Sequence, residues 1–84
     1  MTINMEQKRK AVIDIYSTYG CMSAKQASCF IKSDMGLTIS SSAVSGILRP
    51  LIARGYAASS KNEKNITIYW LTVPAWEIKE DENE

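Results

Sequence analysis

Histidine is missing from this 84-residue chain. Its absence removes the side chain that most often moves protons near neutral pH, and the commonest nitrogen ligand of a metal. Cysteine is scarce. Cys21 and Cys29 stand eight positions apart, a spacing that matches no common zinc or redox pattern. With no histidine to complete a ligand set, neither a metal nor a cofactor is expected. Cys29 reads as a small buried apolar residue of a helix, and Cys21 as a partly exposed turn residue. A glycine-rich phosphate loop is also lacking, and no nucleophile stands beside a base, so no catalytic residues and no enzyme are expected. No apolar run approaches the length of a membrane span. The basic start MTINMEQKRKAV is followed by apolar residues broken by Asp14, Ser17 and Thr18, which does not make a signal-peptide core. A cytoplasmic chain with no membrane partner and no disulfide is therefore expected. Internal repeats and low-complexity linkers are absent as well.

What remains is enough for one small domain. The apolar fraction of 45% and charged fraction of 23% are those of an ordinary soluble globular protein. A chain of this length is near the lower limit for a self-sufficient core, which favours pairing into a homodimer. The net charge of +1 conceals an asymmetry. The last eight residues, EIKEDENE, carry Glu77, Glu80, Asp81, Glu82 and Glu84 against Lys79, whereas residues 1–76 hold nine basic and four acidic residues, a balance of +5. The expected organisation is a mildly basic domain over 1–76 with an acidic, disordered tail over 77–84. A basic body fits a polyanionic partner without requiring one.

The periodicity predicts a first helix over 4–19. Val12, Ile13, Tyr16 and Tyr19 form its stripe, with Arg9 and Met5 one and two turns earlier and Gly20 at its end. Ser23 then caps a second helix, with Gln26 completing an S-x-x-Q box. Ala27, Phe30 and Ile31 make its buried stripe, and Gly36 ends it. Leu37-Thr38-Ile39 reads as a short extended link. Ser40 caps a third helix, and Val44, Ile47, Leu48, Leu51 and Ile52 recur at the spacing of one buried side. Pro50 removes a backbone bond and crowds the carbonyl of Gly46, so this helix is expected to bend or split near 49–50. Gly55 ends it. Residues 56–60 and 66–72 read as two strands around the polar, basic turn KNEKN at 61–65, with Ile66, Ile68 and Trp70 alternating against Thr67, Tyr69 and Leu71. Val73-Pro74 closes the hairpin. Three of the four glycines fall at predicted helix ends, an agreement between unrelated signals that supports this order of elements.

Helix, helix, extended link, helix and hairpin is the order of a winged helix-turn-helix domain, and the sequence resembles that family, in its small bacterial or phage transcriptional regulator type. The resemblance rests on Ser40-Ser41-Ser42-Ala43-Val44-Ser45, on Leu48 and Leu51, on Arg54-Gly55-Tyr56, and on the hairpin that follows. The strand Thr67–Leu71 also looks like the Tyr-Trp strand of small pilus-operon regulators. The likeness covers about residues 5–72, and Pro50 departs from the usual pattern. It implies a mainly α fold with a small β-hairpin, an α+β three-helix domain with a C-terminal wing. It implies sequence-specific binding to double-stranded DNA and transcription regulation, with the third helix in the major groove.

Carried onto this chain, the resemblance assigns base reading to Ser41, Ser42, Ser45 and Arg49, with Gly46 permitting close backbone approach. Lys61, Asn62, Lys64 and Asn65 at the wing tip, and Lys25 at the start of the second helix, would meet phosphates or a minor groove. Blander readings stand beside these. The serines serve as capping and turn chemistry, the arginines and lysines as solvated charge, and Glu63 dilutes the wing tip. Tyr16, Tyr19, Trp76 and Ile78 supply apolar surface for a dimer interface. The rival function is a winged helix that binds another transcription protein, a larger regulator or a polymerase, without DNA specificity of its own.

Overall fold

Asn4 starts the first helix. Its side chain accepts the Gln7 N–H at 2.8 Å, and the Gln7 side chain accepts the Asn4 N–H at 3.1 Å, so two end donors are satisfied reciprocally. The computed structural model describes residues 4–78. Within them lie α1 (Met5–Tyr19), β1 (Met22–Ser23), α2 (Ala24–Met35), α3 (Ser41–Ala53), β2 (Ala57–Lys61), β3 (Thr67–Leu71) and a 3₁₀ turn at Ala75–Glu77. The fold is α+β, three helices with a small antiparallel sheet of order β1-β3-β2. No helix among the described residues is long and apolar enough to cross a membrane.

The buried face of α1 is Ala11, Val12, Ile15 and Tyr16. That corrects the predicted stripe at both ends. Met5 is 66% exposed and Tyr19 47% exposed, while Ile13 is half-buried. Tyr19 is the last helical residue and reaches past the core. Its ring stacks on Phe30 with centroids 4.6 Å apart, and its hydroxyl donates to the Asp34 carboxylate. That hydrogen bond raises the Tyr19 pKa above the ordinary tyrosine value. Tyr16 is 1% exposed, and its hydroxyl donates to the Met22 carbonyl at 3.0 Å. Burial first, then the neighbouring Tyr69 and Cys21, push its phenol well above the ordinary tyrosine range, so it stays a neutral donor. Tyr16 therefore offers nothing to a dimer interface. The chain returns over it as β1.

Ser23 caps α2 by accepting the Gln26 N–H at 3.2 Å, and Gly36 ends it in the left-handed conformation. Ala27 and Ile31 are buried, and Phe30 is half-buried under Tyr19. Cys29 is exposed rather than buried. On a helix it lies two residues from both Ala27 and Ile31, about 200° around from each, so it belongs to the wet side. The link that follows docks through Ile39, which is buried and whose carbonyl accepts the Ser28 hydroxyl.

Ser40 caps α3 by accepting the Ala43 N–H at 3.1 Å. Val44, Ile47, Leu48 and Leu51 are buried, and Ile52 is only half-buried. Of the bend or split expected at Pro50, the split does not occur, since α3 runs unbroken from Ser41 to Ala53. Pro50 and Gly46 are both exposed, so water reaches the carbonyl that the proline leaves without its donor. Replacing Pro50 by alanine is expected to raise stability by about 1–2 kcal/mol, read as a higher urea midpoint. The helix-interior penalty of about 3 kcal/mol is offset in part by the stiffer unfolded chain that proline confers. The helix ends in a Schellman turn. Tyr56 N–H reaches the Leu51 carbonyl at 2.8 Å and Gly55 N–H the Ile52 carbonyl at 3.0 Å, with Gly55 at φ 82°.

The hairpin pairs Ala57 with Leu71 through Lys61 with Thr67, one residue later on β2 than the predicted strand. Its turn is built by asparagine. Asn62 Oδ1 accepts the N–H groups of Lys64 and Ile66 at 2.8 and 3.1 Å, and Asn65 takes a φ of 65°. Tyr69 and Leu71 pack against the core, whose largest members are Tyr16, Ile15, Ile31, Leu48 and Leu51. Every side chain that is fully buried among the described residues is hydrophobic. After Pro74 the 3₁₀ turn brings Ile78 back onto this core. Glu77 and Ile78 thus continue the body, which extends beyond the predicted boundary at residue 76. The rest of the acidic tail, 79–84, lies outside the described residues.

Candidate nucleic-acid interface

The two-residue strand β1 decides where the candidate site residues meet. Met22 pairs with Tyr69 and Ser23 with Ile68, so the residue that caps α2 is also a strand residue beside β3. The first turn of α2 is thereby fixed against the base of the hairpin. On the other side, the Ser45 and Tyr69 hydroxyls stand 3.4 Å apart, which ties the start of α3 to the same strand. Three elements converge on β3, and a cleft of about 450 Å³ opens between them. Lys25, Ser41, Ser42 and Ser45 line it together with Thr67 and Tyr69.

A second cleft, of about 530 Å³, continues toward the hairpin tip. Ser23 and Ile66 line both clefts, and Gln26, Asn62, Glu63, Lys64 and Ile68 complete the second. Of the ten residues expected at a DNA surface, four share the first cleft and two, Asn62 and Lys64, the second. Gly46, Arg49, Lys61 and Asn65 are exposed but belong to neither lining. Arg49 stands one helical turn beyond Ser45, on the same side of α3. A Cβ at Gly46 would meet nothing within 4 Å, so the fold itself does not demand glycine there.

The chemistry available is hydroxyl-rich and weakly cationic. Ser40 is spent as a cap, whereas Ser41 and Ser42 are exposed in the first turn, where helix amides lack intrahelical partners. The Asn62 side-chain oxygen is occupied by the turn, leaving only its amide N–H groups to face outward. Glu63 puts a carboxylate into the second cleft, opposite in effect to Lys64. Sequence reasoning missed Ser23, Gln26, Thr67 and Tyr69 as lining residues. For Tyr69 a signal existed, because strand alternation sets it on the face opposite Ile68 and Trp70. Nothing in the sequence placed Ser23 beside the hairpin. No group of three or more acidic, cysteine or histidine side chains among the described residues could hold a metal ion. Comparison with models of protein families, with curated proteins and with solved structures finds no match to this chain.

Proposed function

We propose that the chain is a winged helix-turn-helix domain that binds double-stranded DNA sequence-specifically and regulates transcription. In this reading α3 enters the major groove and the β2–β3 hairpin is the wing. The observation that carries it is the convergence of Lys25, Ser41, Ser42 and Ser45, from two helix starts, on one open cleft beside the hairpin. Ser41, Ser42 and Ser45 have the donors and acceptors to read base edges, and Arg49 has the fork suited to guanine. Lys25, Lys61 and Lys64 would neutralise phosphates, and the free amides at the start of α3 favour an anion.

The rival reading is a protein-docking winged helix acting beside a larger regulator or a polymerase. It is favoured by one observation: the first cleft holds a single cation, Lys25, among serines, Ala24, Ile66, Thr67 and Tyr69. Binding to a random pool of duplexes at low salt separates the two. The DNA reading expects recovery of an enriched sequence. Failure to retain any duplex transfers the proposal to the protein partner.

A further inference from the structure

Tyr69 is the middle residue of β3 and is paired on both sides. Its backbone faces Met22 of β1 across one edge and Ser59 of β2 across the other. Its ring packs against the hydrophobic core, while its hydroxyl reaches the first cleft, 3.4 Å from that of Ser45. Ser45 is half-buried at the start of the second turn of α3. Lys25, Ser41 and Ser42 line the same cleft but are exposed. An exposed side chain is ordered by its ligand at an entropic cost, whereas a ring held by packing presents its hydroxyl at a fixed place. Tyr16, the other phenol beneath the sheet, is buried and donates to the Met22 carbonyl, so it offers nothing to the cleft.

We propose that Tyr69 is a specificity-determining positioning residue, whose hydroxyl donates to Ser45 and so biases Ser45 toward base edges that accept a hydrogen bond. This role rests on the DNA reading of α3. Either hydroxyl is able to supply the proton, and a phenol, the stronger acid, is the better donor of the two. A hydroxyl that accepts a hydrogen bond becomes in turn a stronger donor and a poorer acceptor, because bonded chains polarise one another. Ser45 then turns its own hydrogen into the groove. There guanine O6 and N7, adenine N7 and thymine O4 accept, and cytosine offers a donor instead. Without the phenol, Ser45 regains both roles and reads either kind of edge. The separation of 3.4 Å exceeds the usual O–H···O range of about 2.5–3.0 Å. Docking on a duplex excludes water from the cleft, which strengthens the contact and draws the two oxygens together.

Single-base-pair variants of a duplex enriched from a random pool test this, with urea unfolding as the control for fold. Ser45→Ala first identifies the base pair that Ser45 reads, as the position where preference is lost. At that pair Tyr69→Phe, which deletes one oxygen and keeps the ring, lowers a wild-type preference of about 3–10-fold to within about two-fold. Preferences at other pairs and the salt slope stay as in the wild type, because no phosphate contact is removed. The double variant Ser45→Ala/Tyr69→Phe behaves as Ser45→Ala alone, since the phenol acts through Ser45. Fluorotyrosine labelling, which makes the phenol a stronger donor without removing it, sharpens the same preference and leaves the fold intact. Four results overturn the proposal. Tyr69→Phe leaves the preference at that pair intact, weakens every duplex alike, or keeps its full effect in the Ser45→Ala background; or fluorination changes nothing at that pair. No duplex retained at low salt overturns the DNA reading and this role with it, whereas a retained duplex with any of the four results overturns this role alone.

Discussion

Leu48→Ala is expected to destabilise the domain by about 2–5 kcal/mol, through lost apolar transfer and the cavity left behind. Leu48 is fully buried in α3, among side chains that include Tyr16, Ile15 and Ile31 of the same core. A domain of 84 residues carries a total stability on the order of 4–13 kcal/mol. One truncation can therefore remove half of it. Urea unfolding followed by circular dichroism reads the change as a lower midpoint. An unchanged midpoint would mean that α3 does not anchor the fold.

The next residue has the opposite profile. Arg49 is exposed on the far side of α3 from that core. Arg49→Ala is expected to leave stability within about 0.5 kcal/mol of the wild type. On the proposed DNA reading it weakens binding to a preferred duplex by about 1–3 kcal/mol and relaxes the preference at the contacted base. Replacing Lys61 and Lys64 together by alanine is expected to weaken all duplexes alike, because phosphate contacts position without reading sequence. Competition binding against a panel of single-base variants separates the two patterns. If Arg49→Ala and the lysine pair behave identically, the division between reading helix and wing fails.

Much of the fold is legible in the chain because its punctuation is local. Ser23 and Ser40 cap where their hydroxyls meet the first amides of a helix, and Gly36 and Gly55 end helices at positive φ. These choices are made within four residues and need no tertiary context. The apolar stripe of α3 is equally local. The errors arise where a residue's fate is set from far along the chain. A two-residue strand has no period to detect, and β1 exists only because β3 supplies its partner more than forty residues later. The same pairing buries Tyr16, which the sequence offers equally to a core or to an interface. Tyr19 follows the α1 stripe by phase but stands past the end of the core, where Phe30 and Asp34 take it instead. Pro50 breaks a local rule, yet α3 runs through it, because packing of Ile47, Leu48 and Leu51 holds the turn that propensity opposes.

The candidate site is half legible for the same reason. Serines and lysines at helix starts are visible as types, but their convergence depends on the β1–β3 pairing. Asn62 and Asn65 look like contact residues, and the turn they build is what holds Lys64 at the tip.

The central claim, that this surface engages the DNA polyanion, is tested most directly by the salt dependence of binding to an enriched duplex. If Lys25, Arg49, Lys61 and Lys64 each neutralise one phosphate, the logarithmic slope is about −3.6, and affinity falls roughly 150-fold between about 50 and 200 mM salt. Removing Lys61 and Lys64 reduces that slope by about 2. An affinity that is flat across this range, or no retained duplex even at low salt, would contradict the account and leave the cleft to a protein partner.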